Sequence, residues 1–551
     1  MKQPQHSTSV IDVVLRRLHE LGVHHLFGVP GDYNLWVLDQ VLEHPEIDWI
    51  GTATELGAAY AADGYARCHG FAAVLTTYGV GELNAANAVA GSYAEYVPLL
   101  HIVIGPTSTE LTEETLVHHS LGIGDPGGFA RAARQVVCAE AFVRPETATA
   151  EVDRVITTCL AQRRPGYLLI PSDVALAPAE LPRSPLVRPD PWPTDPKNVA
   201  AFTEAARKRI ASASSTVLLA DGLVERFGAR APLAQLLTQG RLPHAILLSG
   251  KAVVDEHGPQ FLGLYAGAAG PQSVRDAVEE ADLLIRAGMR LTDINTSGFS
   301  HGFNDGRGID LGPADARIDG RAFANVPLAA SLQALTPLVA EAGGQGQPRR
   351  THEPRPEHAG CGPLTQDHLW RAVVAALHRD DVIAVDQGTA MFGIAPLPLP
   401  SGALCLAQPL WASIGYSLPA LLGAQFADRS RRGVLLIGDG SAQVTFQELG
   451  AFGRYGLTPL VILVNNDGYS VERTIHGLNA PYNDIPRWRW CDLPAALGVP
   501  DPLTFSVRTA DALDAALAMA TAARDRFILI EAHTAPGDVP TLLRQFVQAR
   551  Q

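Results

Sequence analysis

A glycine-flanked carboxylate, Gly438-Asp439-Gly440-Ser441, follows the apolar run Val434-Leu435-Leu436-Ile437, and an asparagine pair, Asn465-Asn466-Asp467-Gly468, follows a second run, Val461-Ile462-Leu463-Val464. Short apolar runs that stop at turn residues read as buried strands. Two parallel strands of this kind deliver an Asp and an Asn to one sheet edge. Oxygen ligands there suit a hard divalent cation, and glycine-rich turns suit a phosphate held by that cation. The residues between, 441–464, fit one helix and its loops, as a parallel crossover needs. Each half alone also fits ordinary turn chemistry.

Four further places carry titratable groups in suggestive contexts. Glu55 stands in Thr54-Glu55-Leu56-Gly57-Ala58-Ala59-Tyr60, where a first-turn Glu also simply favours the positive end of a helix. Asp32, in Pro30-Gly31-Asp32-Tyr33-Asn34, fits a helix N-cap after a Pro-Gly turn. His118 and His119 are adjacent, and neighbours on a regular element diverge, unlike the spacings of metal pairs. Glu472, in Tyr469-Ser470-Val471-Glu472-Arg473, also fits an ion-paired surface residue.

The elements that must position these groups alternate. Strands are expected at 25–29, 48–51, 72–76 and 99–104, with helices over 35–42 and 55–66 between them, which implies a parallel sheet covered on both faces. The middle third shows strand runs at 216–219, 245–248 and 282–285. Proline-rich residues 181–196 and the Gly/Gln/Pro stretch within 341–362 read as linkers. The expectation is an α/β chain of three domains, each a mostly parallel sheet flanked by helices, with boundaries at 1–182, 197–341 and 362–551. The first and last thirds share only a loose strand–helix cadence, and there is no short-period repeat.

Composition narrows the function. The chain has 551 residues, 47% apolar and 18% charged, with a net charge of -14, the balance of a compact protein of several cores rather than one. No Lys/Arg-rich run stands out, so nucleic-acid binding is not expected. No apolar stretch reaches membrane-spanning length, and no signal-peptide apolar region opens the chain. Six cysteines are scattered without a C-x-x-C pair. A disulfide framework or structural zinc is therefore not expected, and a reducing cytoplasm is. No G-x-G-x-x-G stands at a strand–helix junction, which disfavours a dinucleotide-dependent dehydrogenase.

Taken together, the two opening motifs resemble the cofactor motif of thiamine diphosphate (ThDP)-dependent enzymes. The resemblance implies that Asp439, Asn466 and the carbonyl of Gly468 hold Mg2+, which holds the diphosphate. The run from Thr54 to Arg67 resembles the segment by which such enzymes supply a buried Glu, here Glu55, to the aminopyrimidine, promoting the imino tautomer that generates the ylide. A carboxylate suits this because hydrogen bonds to charged acceptors are stronger. Phe27-Gly28-Val29-Pro30-Gly31-Asp32, Val117-His118-His119-Ser120 and Val471-Glu472-Arg473-Thr474-Ile475-His476 resemble the pyruvate/indolepyruvate decarboxylase branch.

That resemblance carries several expectations. The ThDP-binding fold lies in the first domain (pyrimidine-binding) and the last (diphosphate-binding). The site is shared between subunits, so a homodimer is the minimal unit, within a homotetramer. The reaction is non-oxidative decarboxylation of a small-molecule substrate, a 2-oxo acid, to an aldehyde and carbon dioxide through ylide and enamine, with Asp32, His118, His119 and Glu472 moving protons. Ile414 is the wedge that bends the cofactor, and the carbonyl of Ala412, where the family commonly has Gly, accepts from the 4′-amino group. Gly388, Thr389, Ser413, Gly440 and Ser441 contact the cofactor. Gln387, Met391, Phe392, Val471, Ile475 and Phe546 line the substrate pocket, and Ile294 and Asn295 reach toward it. Met391 and Val471 stand where pyruvate-specific relatives carry bulkier groups, so branched or aromatic 2-oxo acids are expected. Pyruvate as main substrate, or carboligation to 2-hydroxyketones, are the alternatives. A silent scaffold is disfavoured by the retained Glu55, Asp439 and Asn466.

Overall fold

The computed structural model describes residues 8–123, 125–189, 192–343 and 362–550. Nearly all of the expected second linker and part of the proline-rich one lie outside these. The first sheet comprises β1 (His25–Gly28), β2 (Asp48–Gly51), β3 (Ala72–Thr77), β4 (Leu99–Gly105), β5 (Ala139–Phe142) and β6 (Gly166–Pro171), ordered β2-β1-β3-β4-β6-β5 and parallel throughout. The second comprises β7 (Thr216–Ala220), β8 (His244–Ile246), β9 (Phe261–Leu264), β10 (Leu283–Ala287), β11 (Ile309–Leu311), β12 (Ala316–Ile318) and β13 (Arg321–Phe323). Only its last two pairings are antiparallel. The third comprises β14 (Asp381–Val385), β15 (Leu404–Leu406), β16 (Arg432–Gly438), β17 (Leu460–Asn465), β18 (Leu503–Val507) and β19 (Ile528–His533), ordered β15-β14-β16-β17-β19-β18 and again parallel.

The first and third sheets therefore have the same strand order, although their sequences share only a cadence. That order locates the sites. In each sheet the chain runs outward from its first strand to its second and returns to place the third on the first strand's other side. A crevice opens at the carboxyl ends of the first and third strands, where open α/β sheets bind ligands. In the third sheet those ends lead into Gln387-Gly388 and Asp439. In the first they lead into Asp32 and into the turn before α4, where α1 is Val10–Glu20, α2 Leu35–Glu43, α3 Glu55–His69 and α4 Val80–Ala94.

The chain forms two compact units. One joins residues 1–191 with 418–430 and 445–457, and the other joins 192–417, 431–444 and 458–551. In the first unit, α3 lies tightly against the helix Ser417–Ala427. A Cβ at Gly64 would fall 1.9 Å from the Ala420 carbonyl oxygen, and one at Gly423 would fall 1.7 Å from that of Ala61. Glycine at both points permits backbone contact. The crossover from β16 to β17 departs from the single helix expected. It is a helix Asp439–Thr445, a 3-10 turn Phe446–Glu448 and a second helix Leu449–Arg454. The break falls where the chain enters the first unit, and it directs Glu448 to the residues before α3. Among the described residues no helix is long and apolar enough to cross a membrane.

His101 on β4 is buried, and its Nε2 lies 3.0 Å from the Thr76 hydroxyl on β3. Burial pushes its pKa down to about 3. Between that value and an unfolded value of about 6.5 the unfolded chain binds the proton and the folded chain does not, so this residue's contribution to stability falls as pH falls through the window. Unfolding measured from pH 7 to pH 4 is expected to show a flatter pH dependence in His101→Gln than in the wild type.

Candidate active site

The Asp439 carboxylate is buried, 2% exposed. One oxygen accepts from the Gly440 N–H at 2.8 Å, and the other accepts from the N–H groups of Asn466 and Gly468 at 3.1 Å each. Burial pushes its pKa up to about 6 against these bonds. Gly468 cannot be replaced conservatively. Its φ is +130°, and a Cβ would lie 2.1 Å from the Asn483 carbonyl oxygen. Arg473 holds the same turn from beneath, donating to the carbonyls of Asn466 (3.0 Å) and Asp467 (2.7 Å) and to Asp484 (2.7 Å). The Asp439–Asn466 pair thus sits in a backbone frame built before any ligand arrives.

A cavity of about 540 Å³ opens over this frame, walled by Gln387, Gly388, Thr389, Ala412, Ile414, Gly438–Ser441, Asn466, Gly468 and the stretch Tyr469–Glu472. Asp386 sets its far rim. This buried carboxylate accepts from the Gly415 N–H (3.2 Å), the Ser417 N–H (3.1 Å) and the Ser417 hydroxyl (2.6 Å), and Ser441 also hydrogen-bonds it. The loop it holds carries Ala412 at φ +58°, a left-handed conformation that costs about 1–2 kcal/mol in a residue with a Cβ. The strain is tolerated because Asp386 and the Ala412 N–H bond to the Gln408 carbonyl (2.8 Å) fix the turn.

The residues present fit ThDP and Mg2+. Asp439 offers buried carboxylate oxygens of the hard type a divalent cation takes, with Asn466 and Gly468 beside it. At Gly438 a Cβ would meet nothing within 4 Å, so the glycine turn faces open cavity. Gln408, 3% exposed, has neither amide atom hydrogen-bonded, an orphan four residues before Ala412.

The first unit carries the other titratable set. His118 Nε2 lies 2.6 Å from Asp32 Oδ2, and the His118 ring stacks on Tyr33 at 4.7 Å between centroids. A carboxylate only accepts, so Nε2–H donates, and Nδ1 is left facing the Tyr33 hydroxyl at 3.3 Å. His119 turns back through φ +61°, bringing its ring within 4.6 Å of His118, and its buried Nδ1 has no hydrogen-bond partner among the described residues. The turn, rather than a helix or strand, lets neighbouring histidines converge with Asp32.

Glu55 opens α3, and its Oε2 accepts from the Asn84 amide at 2.7 Å. The residues before it are held by Glu448, a fully buried carboxylate that accepts from the N–H groups of Ala53 (2.9 Å) and Thr54 (3.0 Å) and from the Thr54 hydroxyl (2.9 Å). With its proton so directed, the Thr54 oxygen accepts from the Gly57 N–H and caps the helix.

Nine of the residues expected at the cofactor thus wall one cavity, and Gln387, Val471 and Glu472 join them. Ser413 is half-buried on the same loop but does not wall it. Met391 is buried in the helix Thr389–Ile394. Phe392 lines a separate cavity of about 150 Å³ and packs on Phe546 at 5.2 Å, while Ile475 is exposed on the second unit's surface. Asn295 is consumed within the second unit, bonding Ser249 and the Arg290 carbonyl. Sequence reasoning missed Asn84, Asp386 and Glu448. Asp386 alone left a signal, a carboxylate directly after an apolar strand run.

Three family models match in chain order and define a thiamine pyrophosphate enzyme: the N-terminal TPP binding domain over residues 8–122, the central domain over 203–338 and the C-terminal TPP binding domain over 394–532. An X-ray structure from Mycobacterium smegmatis, described as a thiamin diphosphate-dependent enzyme, shares the fold at TM-score 0.77 and 20% identity, covering 96% of this chain and 99% of its own. Among curated relatives, the alpha-keto-acid decarboxylases of Mycobacterium tuberculosis and Mycolicibacterium paratuberculosis are each 48% identical, over 98% of this chain and 96% of theirs. That of Mycobacterium ulcerans is 47% identical over 98% and 95%. The chain belongs to the ThDP-dependent 2-oxo acid decarboxylases.

Glu448→Gln keeps the volume but sets an amide against two N–H donors. An unmet buried donor costs about 1–3 kcal/mol. The variant is expected to melt lower than the wild type and, because the cap of the Glu55 helix loosens, to turn over more slowly. Calorimetry and steady-state rates read the two effects.

Proposed function

We propose that this chain converts 2-oxo acids to aldehydes and carbon dioxide without net oxidation, using ThDP and Mg2+, and that it prefers large aliphatic, branched or aromatic side chains over pyruvate. The observation that carries the reading is the buried Asp439 carboxylate at the switch point of the third sheet, framed by the N–H groups of Asn466 and Gly468 at the wall of the cavity. Asp439, Asn466 and the Gly468 carbonyl hold Mg2+ in this reading. Gly388, Thr389, Gly440 and Ser441 meet the diphosphate, and Ala412 and Ile414 meet the rings. When bound, the cofactor supplies an electron sink for the pair left behind as carbon dioxide departs.

The chain's own residues do the rest. Glu55, steadied by Asn84, offers a charged acceptor to the ring nitrogen of the cofactor. Asp32 and His118 share a proton across 2.6 Å, with His119 beside them and Tyr33 against the ring. This set, together with Glu472 from the cavity wall, delivers the proton that replaces the lost carboxylate. Gln387 and Val471 bound the substrate's side chain within the cavity.

In this reading, which follows from the family, the site is completed by a second copy of the chain, with a homodimer as the working unit and a homotetramer as the assembly. Exposed apolar side chains support the same reading: Trp36, Val80 and Leu83 in the first unit, Leu478 and Tyr482 in the second. The free thiols of Cys68, Cys138, Cys159, Cys405 and Cys491 support a reducing, cytoplasmic setting.

With ThDP and Mg2+ present, aldehyde release across a panel from pyruvate through branched-chain 2-oxo acids to phenylpyruvate and indolepyruvate is expected to give kcat/KM at least about 10-fold higher for the larger acids. No aldehyde from any member overturns the activity, a pyruvate optimum overturns the specificity, and a 2-hydroxyketone as main product makes the enzyme a carboligase. Glu55→Gln is expected to lower kcat by about 100-fold or more while leaving the fold intact by circular dichroism.

A further inference from the structure

A second cluster of imidazoles stands on the first unit, formed by residues the proposed reaction does not use. His19 lies in the last turn of α1, His24 immediately before β1, and Glu46 in the loop between α2 and β2. One ligand atom from each lies within 4.8 Å of the other two. The His19 and His24 rings meet edge to face at 5.5 Å, and the His44 ring stands 6.4 Å from that of His19.

The hydrogen bonds around the cluster sort its lone pairs. His24 Nδ1 lies 3.0 Å from the Glu46 carbonyl oxygen, which can only accept, so Nδ1 carries the hydrogen and Nε2 keeps a free pair. A backbone carbonyl fixing the far nitrogen in this way is the outer-shell arrangement typical of metal-binding histidines. The Glu46 N–H donates to His44 Nδ1 at 3.2 Å, so the peptide that bears the carboxylate is held from both sides. His19 Nδ1 is buried and has no hydrogen-bond partner among the described residues.

We infer that His19, His24 and Glu46 form a binding site for a late first-row divalent metal, Zn2+ foremost, distinct from the Asp439 site. Two imidazoles and a carboxylate suit zinc and its neighbours, whereas Mg2+ prefers an all-oxygen set, so the two metals sort by ligand chemistry. Zinc bonds of about 2.0–2.2 Å place tetrahedral ligands about 3.3 Å apart, and rotation of the exposed His24 and Glu46 side chains closes the remaining distance. Three protein ligands leave a fourth position to water. The metal would tie α1, the entry to β1 and the α2–β2 loop together, three segments that meet at this corner through imidazole ring contacts and the His24–Glu46 hydrogen bond.

The test uses the enzyme saturated with ThDP and Mg2+, titrated with Zn2+ in a calorimeter and with Co2+ for its visible absorption. The wild type is expected to show a binding event that weakens about 10- to 100-fold or more in His24→Ala and in Glu46→Gln. The event is expected to persist in His118→Ala, which disrupts the only other such cluster found among the described residues, and bound Co2+ is expected to give tetrahedral d–d bands. Turnover of His24→Ala without zinc is expected to match the wild type. Absence of Zn2+ binding, equal affinity in His24→Ala and wild type, or loss of the event in His118→Ala alone overturns the assignment.

Discussion

The buried carboxylate of Asp439 is the constraint on which the third sheet is organised. Desolvating Asp439 is costly, and three backbone N–H groups offset part of that cost without neutralising the charge. Those N–H groups belong to the residue after it and to the turn that follows the neighbouring strand. The register between β16 and β17, the left-handed Asp467, the glycine at 468 and the Arg473 fork beneath are all needed to bring them to two oxygens. Asp386 repeats the arrangement one strand away, holding the loop of Ala412 and Ile414. Two buried acids thus shape the cavity walls, and the side chains that face the ligand are carried on frames that the acids fix.

The first unit follows the same logic with a different acid. Glu448 does not face the cavity. It receives the two N–H groups just before α3 and orients the Thr54 hydroxyl, so that Glu55 projects from a capped, immobile helix start. Precision at Glu55 is thereby placed in the hands of a residue almost four hundred positions away in sequence. The Asp32–His118 pair is looser and exposed, consistent with a group that exchanges protons.

Much of this was legible in the chain. Apolar runs marked β16, β17 and four of the first sheet's six strands, β1 to β4, to within a residue or two, because buried parallel strands have little polar face to blur the pattern, while β5 and β6 went unread. Asp439 and Asn466 stood out because chemistry-bearing types sat at strand ends, and Glu55 and the histidine pair stood out because the runs around them resemble those of a known family. Asn84 and Glu448 did not, since both lie inside helical or turn segments where Asn and Glu are unremarkable, and only the tertiary fold supplies their partners. The single crossover helix expected after Asp439 failed for the same reason. Periodicity cannot register a break that exists so that one side chain can reach a distant loop. Phe392 and Phe546 illustrate the converse, apolar residues whose types suit a pocket and whose positions place them in packing beside another cavity.

The first unit is assembled from three separate stretches of chain, the last ending at residue 457. During synthesis, its six strands emerge well before the helix that lies against Gly64 and before Glu448 itself. The nascent N-terminal sheet must wait, with the groove along α3 uncovered and Thr54 unanchored, until more than four-fifths of the polypeptide has been made. The mounting of Glu55 therefore cannot be completed ahead of β16, because β16 and Asp439 are translated before Glu448. Order of synthesis thus ties the maturation of the two motifs together.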